Sequence, residues 1–139
     1  MPITQLTGPA PAGHHPKFGL CAVEHSPNST VLAISMAIDH HTAPAFRGAI
    51  AEIAQSGQTR LVIDLTDLPF MDSTGLAVLV GGMKKMRARN GDLLLVSPDR
   101  DSPTMKILRI TGLTKVFAIF PDLDQALAYQ LPPSHWGSP

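Results

Sequence analysis

Leu61-Val62-Ile63-Asp64-Leu65 is a five-residue run with four large apolar side chains, two of them β-branched. So short a run, in that composition, reads as a buried strand. The period then changes. Over residues 73–89 the side chains of Leu76, Leu79, Met83 and Met86 recur at helical spacing. Asn90-Gly91 ends that helix, and residues 93–96 return to a short apolar run. A strand, a helix and a strand in succession imply two parallel neighbours joined by a right-handed crossover.

The same alternation extends in both directions. Residues 18–23 and 31–36 are two apolar runs separated by Ser26-Pro27-Asn28-Ser29, which predicts a hairpin. Residues 42–55 place Phe46, Ile50 and Ile53 on one helical face. Thr42 is the expected N-cap there, Pro44 falls in the first turn, and Gly57 is the stop. Beyond the central unit, Ser102-Pro103 opens a helix that ends near Gly112. Residues 116–120 read as the last strand, and Asp122 opens a closing helix through Leu127. The expected fold is α/β: a mixed, largely parallel sheet covered by helices, in the order β-β-α-β-α-β-α-β-α. Residues 1–17 are rich in Pro, Gly and Ala and read as a flexible arm, 18–129 as the domain, and 130–139 as a tail.

Composition narrows the function classes. Eleven basic and eleven acidic residues give no electrostatic case for nucleic acid or an anionic membrane. The single cysteine, Cys21, forms no intrachain disulfide, which fits a reducing compartment. No apolar run approaches the roughly 20 residues that span a bilayer, and the N-terminus lacks a signal-peptide pattern. The expected location is cytoplasmic. No cofactor or metal is expected, because His14-His15 and His40-His41 lack zinc-ligand spacing and no phosphate-cradling Gly-x-x-x-x-Gly-Lys occurs. Gly-x-Ser-x-Gly is also absent, so no catalytic residue is assigned and the chain does not read as an enzyme.

The helix over residues 73–89 carries the candidate site. Opposite its core stripe lie Ser73, Ala77, Gly81, Lys84 and Ala88, a face nearly bare of large side chains. Gly81 and Gly82 each cost about 1 kcal/mol relative to Ala in mid-helix. Either close packing against a neighbour or a flat docking surface offsets that cost. Ser73 after Asp72 has two readings as well. It is the helix cap, or Asp72 is the cap and Ser73 stands on the first turn with its hydroxyl free. In the second case a phosphate is tolerated there, since free N–H groups and the helix dipole both favour negative charge.

Three segments in order resemble the bacterial anti-sigma factor antagonists of the STAS fold. They are Leu68-Pro69-Phe70-Met71-Asp72-Ser73-Thr74-Gly75-Leu76-Ala77-Val78-Leu79, Ile38-Asp39-His40-His41-Thr42-Ala43, and Ile110-Thr111-Gly112-Leu113-Thr114-Lys115-Val116-Phe117. The likeness covers about residues 18 to 129. It implies a partner-switching cycle that regulates transcription. The unphosphorylated antagonist binds an anti-sigma factor that is also a serine kinase, a sigma factor is released, and phosphorylation ends the complex. A PP2C-type phosphatase resets it. On this likeness Ser73 is the phosphoacceptor, and Asp72, Thr74, Gly75 and the loop residue Asp39 surround it. Together with Ala77 and Gly81 these form the expected partner-binding surface. The chain departs from the family at Met36 and Ala37, where Gly-Glu is frequent, and at Ala77, where Gly is common. The alternative is a scaffold or ligand-sensing module of the same fold, with Ser73 only a cap.

Overall fold

The computed structural model describes residues 19–132. Its elements are β1 (Leu20–Ser26), β2 (Ser29–Ile34), α1 (Ala43–Gln55), β3 (Arg60–Asp64), α2 (Ser73–Arg87), β4 (Asp92–Val96), α3 (Pro103–Ile110), a 3-10 turn (Leu113–Lys115), β5 (Ala118–Phe120) and α4 (Leu123–Ala128). The order is the one the sequence implies. The strands form one sheet in the order β1-β2-β3-β4-β5. The β1–β2 hairpin is antiparallel, and the other three pairings are parallel.

Register explains why the central strands are apolar throughout. Leu32, Ile63, Leu95 and Ile119 stand side by side across β2 to β5. Leu32, Ile63 and Leu95 belong to the larger core with Phe46, Ile50, Leu79 and Met86 from α1 and α2, and the half-buried Ile119 packs against it. Their chain neighbours Val31, Val62, Leu94 and Ala118 form the next row on the opposite face. That row is covered by α4, through Ala126, Leu123 and Leu127. A strand covered on both faces has no polar side to show, so it reads as a run and not as an alternation.

Polar ties hold the layers in place. Arg87 Nε donates to Asp92 Oδ1 at 2.8 Å, and its Nη2 donates to the Val116 carbonyl at 2.8 Å. This one side chain joins α2 to the start of β4 and to the approach to β5. Arg60 Nη1 donates to the Ala126 carbonyl at 2.9 Å and fixes α4 against β3.

Three local expectations are corrected. Residues 116–120 are not all strand. Val116 and Phe117 donate to the Leu113 carbonyl at 2.9 and 3.0 Å, so the chain is still turning there. Phe117 enters the core at that point, and β5 begins only at Ala118. The 3-10 turn that precedes it carries no apolar period of its own. Second, β1 and β2 run to Ser26 and from Ser29, so the hairpin turn is tighter than the sequence implies. Third, Thr42 precedes α1 but makes no side-chain cap bond. Its hydroxyl donates to the Ala37 carbonyl at 2.8 Å and closes the preceding loop instead. The N-terminal arm and most of the tail, with His14-His15 and Trp136, lie outside the described residues. Among the described residues no helix is long and apolar enough to cross a membrane.

Candidate functional site

The loop after β2 and the segment before α2 are far apart in sequence, and backbone bonds join them. Ile38 and Met71 form an isolated parallel bridge. Ile38 N–H donates to the Phe70 carbonyl at 2.9 Å, and Asp72 N–H donates to the Ile38 carbonyl at 3.1 Å. Both bridge residues are buried apolar side chains. One residue beyond the bridge on each segment stand Asp39 and Asp72. The bridge therefore brings two of the three segments singled out in the sequence to one place.

Gly75 makes the joint close-fitting. A Cβ at this position would lie 2.7 Å from Ile38 Cγ2 and overlap Met71 Cγ. The first turn of α2 thus rests directly on the bridge. Gly75, which the sequence reading placed around Ser73 in the partner-binding set, is buried and shapes the site from beneath.

The cap is Asp72. Its Oδ1 accepts from Thr74 N at 2.8 Å and from Gly75 N at 3.3 Å. With the cap position taken, Ser73 is the first residue of α2. Its side chain is exposed, and no hydrogen bond engages its hydroxyl among the described residues. Neither His40 nor His41 is bonded to it. Those two rings lie against each other, with centroids 4.0 Å apart, on the exposed part of the loop. Replacing Asp72 by Ala removes the cap and is expected to cost about 1 kcal/mol, read as a lower urea midpoint with an unchanged slope. Asp72→Asn should recover most of that loss.

Asp39 organises its own loop. Its Oδ1 accepts from His41 N at 2.9 Å and from Thr42 N at 3.1 Å, and its N–H donates to Thr42 Oγ1 at 2.9 Å. The Thr42 and His41 N–H groups hold the carboxyl below the ordinary aspartate range. A lowered value in the folded state means the turn is supported above the unfolded value and loses that support as pH falls through the lower, folded one. At neutral pH Asp39 is therefore a fixed negative charge beside the start of α2.

The outer face of α2 is bare, as the helical wheel implies: Ser73, Ala77, Gly81, Lys84 and Ala88 are all exposed. The two central glycines separate cleanly. A Cβ on Gly82 would come within 3.0 Å of Ile50 Cγ2 and Leu93 Cδ1, so Gly82 is there for close packing of α2 on α1 and β4. A Cβ on Gly81 meets nothing within 4 Å. Packing explains one glycine and leaves the other to the surface.

That surface is not flat. Ala77 and Gly81 border a notch of about 130 Å³ between α1 and α2, floored by Ile50 and Gly82 and rimmed by Arg47 and Lys85. The rim cations come from different helices, and their meeting leaves no signal along either one. Sequence reasoning also passed over Phe70, which is 46% exposed just ahead of the cap. The signal was present: in Leu68-Pro69-Phe70 the Phe falls outside both the strand and helix periods. Among the described residues no group of three or more potential metal ligands occurs.

A sheet of this topology, with an exposed serine opening the Asp72-capped helix after the third strand, defines a small α/β module. The chain belongs to the STAS domain family, whose pattern matches residues 21–126. It is 31% identical over 106 residues to the anti-sigma F factor antagonist of Paenibacillus polymyxa, covering 76% of this chain and 89% of that one. It is 36% identical over 97 residues to the anti-sigma-F factor antagonist RsfB of Mycobacterium tuberculosis, covering 70% and 77%. A crystal structure of an anti-sigma factor antagonist from Mycobacterium paratuberculosis superposes with a TM-score of 0.70 at 32% identity, over 78% of this chain and 89% of the other.

Proposed function

We propose that this protein is an anti-sigma factor antagonist, a binding protein and not an enzyme. Unphosphorylated, it docks an anti-sigma factor that is also a serine kinase, and phosphorylation of Ser73 releases it. Sigma-factor-dependent transcription is the process regulated, in the cytoplasm, and a PP2C-type phosphatase restores the binding form. The observation that carries this reading is the division of labour at the start of α2. Asp72 does the capping, which leaves the Ser73 hydroxyl exposed and without a hydrogen bond among the described residues. A serine that served only as a cap would have its oxygen on the N–H groups that Asp72 already holds.

Geometry supports the switch as well. A phosphate on the first residue of a helix meets a favourable dipole, so the fold tolerates it. It also adds about −1.5 to −2 charges next to Asp72 and the loop of Asp39, which changes the electrostatics any partner meets there. Ala77 and Gly81 continue the contact surface away from the switch, and Thr74 and Asp39 flank it.

The test uses the cognate kinase and ATP, with intact-mass and peptide mass spectrometry. The wild-type protein should take up one phosphate, on Ser73. Thr74→Ala should also take up one, and Ser73→Ala none. Full phosphorylation of Ser73→Ala would falsify the assignment.

A further inference from the structure

A second site lies elsewhere on the sheet. Between α3 and β5, where β4 and β5 end, there is a pocket of about 590 Å³. Pockets of roughly 300–1,000 Å³ suit small organic ligands. Crevices at the carboxyl ends of parallel strands are where open α/β sheets commonly bind them. Its apolar lining comes from Met105, Phe117 and Ile119 on the main-core face of the sheet, and from Phe120, whose ring packs against Tyr129 on the α4 side. Met105 and Phe117 are themselves buried parts of the main core, so this wall is rigid.

The polar lining has one sign. Arg100 and Arg109 both face the pocket, and among the described residues neither is paired with a carboxylate. Arg109 Nη1 donates to the Arg100 carbonyl at 2.8 Å, which ties the two arginines across the loop that starts α3. No carboxylate is among the lining residues. Of the acids nearby, Asp99 accepts from Asp101 N at 2.9 Å, and Asp122 caps α4 through Gln125 N at 2.8 Å. Ser97 adds a hydroxyl at the floor. It is only 7% exposed, and its contact to the Asp99 carbonyl is 3.5 Å, at the limit of a hydrogen bond. A nearly buried hydroxyl without a good partner and two guanidinium groups with no carboxylate partner among the described residues converge on this pocket.

We infer that this pocket binds an amphipathic phosphate monoester, with the apolar part against Phe117 and Ile119 and the phosphate held by Arg100, Arg109 and Ser97. Two guanidinium charges match the charge of a phosphate monoester, about −1.5 to −2 near pH 7, better than that of a carboxylate. Planar guanidinium groups also bond phosphate oxygens in pairs. The apolar wall gives inorganic phosphate little to add. This site is independent of Ser73 and of the partner-switching reading.

The test is titration of the isotopically labelled protein with decyl phosphate below its micelle concentration, followed by amide NMR shifts and calorimetry. Decanol, decanoate and inorganic phosphate are titrated in parallel. Saturable shifts at Ser97, Thr114, Phe117 and Phe120 are expected, with affinity at least about tenfold above that for decanol or inorganic phosphate. Decanoate should fall between. The doubly substituted R100A/R109A protein, altered only at exposed side chains, should fold normally and lose at least about tenfold in affinity. Thr114→Trp, which occupies the pocket mouth, should lose binding with the arginines intact. Equal affinity for decanol, an unaffected R100A/R109A protein, or shifts scattered away from these residues overturns the inference.

Discussion

Ser73→Asp is expected to weaken binding to the anti-sigma factor kinase by about 100-fold, roughly 2.8 kcal/mol, while the protein's own stability stays level or rises slightly. The two effects have opposite signs for a stated reason. Within the free protein a carboxylate on the first residue of α2 meets the positive end of the helix dipole, worth about 0.3–1 kcal/mol. At an interface the same carboxylate stands beside Asp72 and the ionised Asp39. It must be desolvated there, and an uncompensated charge in an interface costs several kcal/mol. Ser73→Ala isolates the charge from the loss of the hydroxyl and should bind within a few-fold of wild type. Calorimetry with the unphosphorylated proteins gives both affinities. Wild-type affinity in Ser73→Asp points to a scaffold role with no charge switch.

Gly81→Trp is the second large effect. The helix itself should gain, since Gly is the poorest helix former after Pro and the site is open to solvent. Thermal unfolding should therefore be unchanged or shifted slightly upward. Partner binding should fall below detection, because the indole fills the notch that Ala77 and Gly81 border. Ala77→Arg should act the same way. Gly82→Leu is the contrasting variant. Its side chain has to displace Ile50 and Leu93, an overpacking that costs about 1–3 kcal/mol or more, so stability drops there. A Gly81→Trp protein that is stable and binds its partner normally removes the α2 face from the interface.

The neighbouring glycines show where sequence reading stops. Both carry the same helix penalty, and the helical wheel alone left packing and surface roles open for each. Only the distances to Ile50 and Leu93 tell them apart, and those depend on how closely α1 and β4 approach α2. Ser73 was ambiguous for a similar reason. Asp and Ser are equally good caps, so the pair Asp72-Ser73 does not say which one bonds the helix N–H groups. The phi and psi angles of Asp72, extended before the helix begins, settle it.

What the sequence by itself determined is the part governed by period and local chemistry. Strand and helix order, the parallel sheet, the core stripe of α2 and the bare face opposite all follow from spacings within single segments. Tertiary structure alone decided what depends on segments distant in the chain. It set the Ile38–Met71 bridge that carries Asp39 to Asp72, and it turned Gly75 inward beneath the site. It also set the cations of two helices around one notch and the arginine-lined pocket at the end of β4 and β5. A periodic pattern records which side of an element faces the core. It holds no record of which other element waits there, because that choice is made by packing many side chains at once.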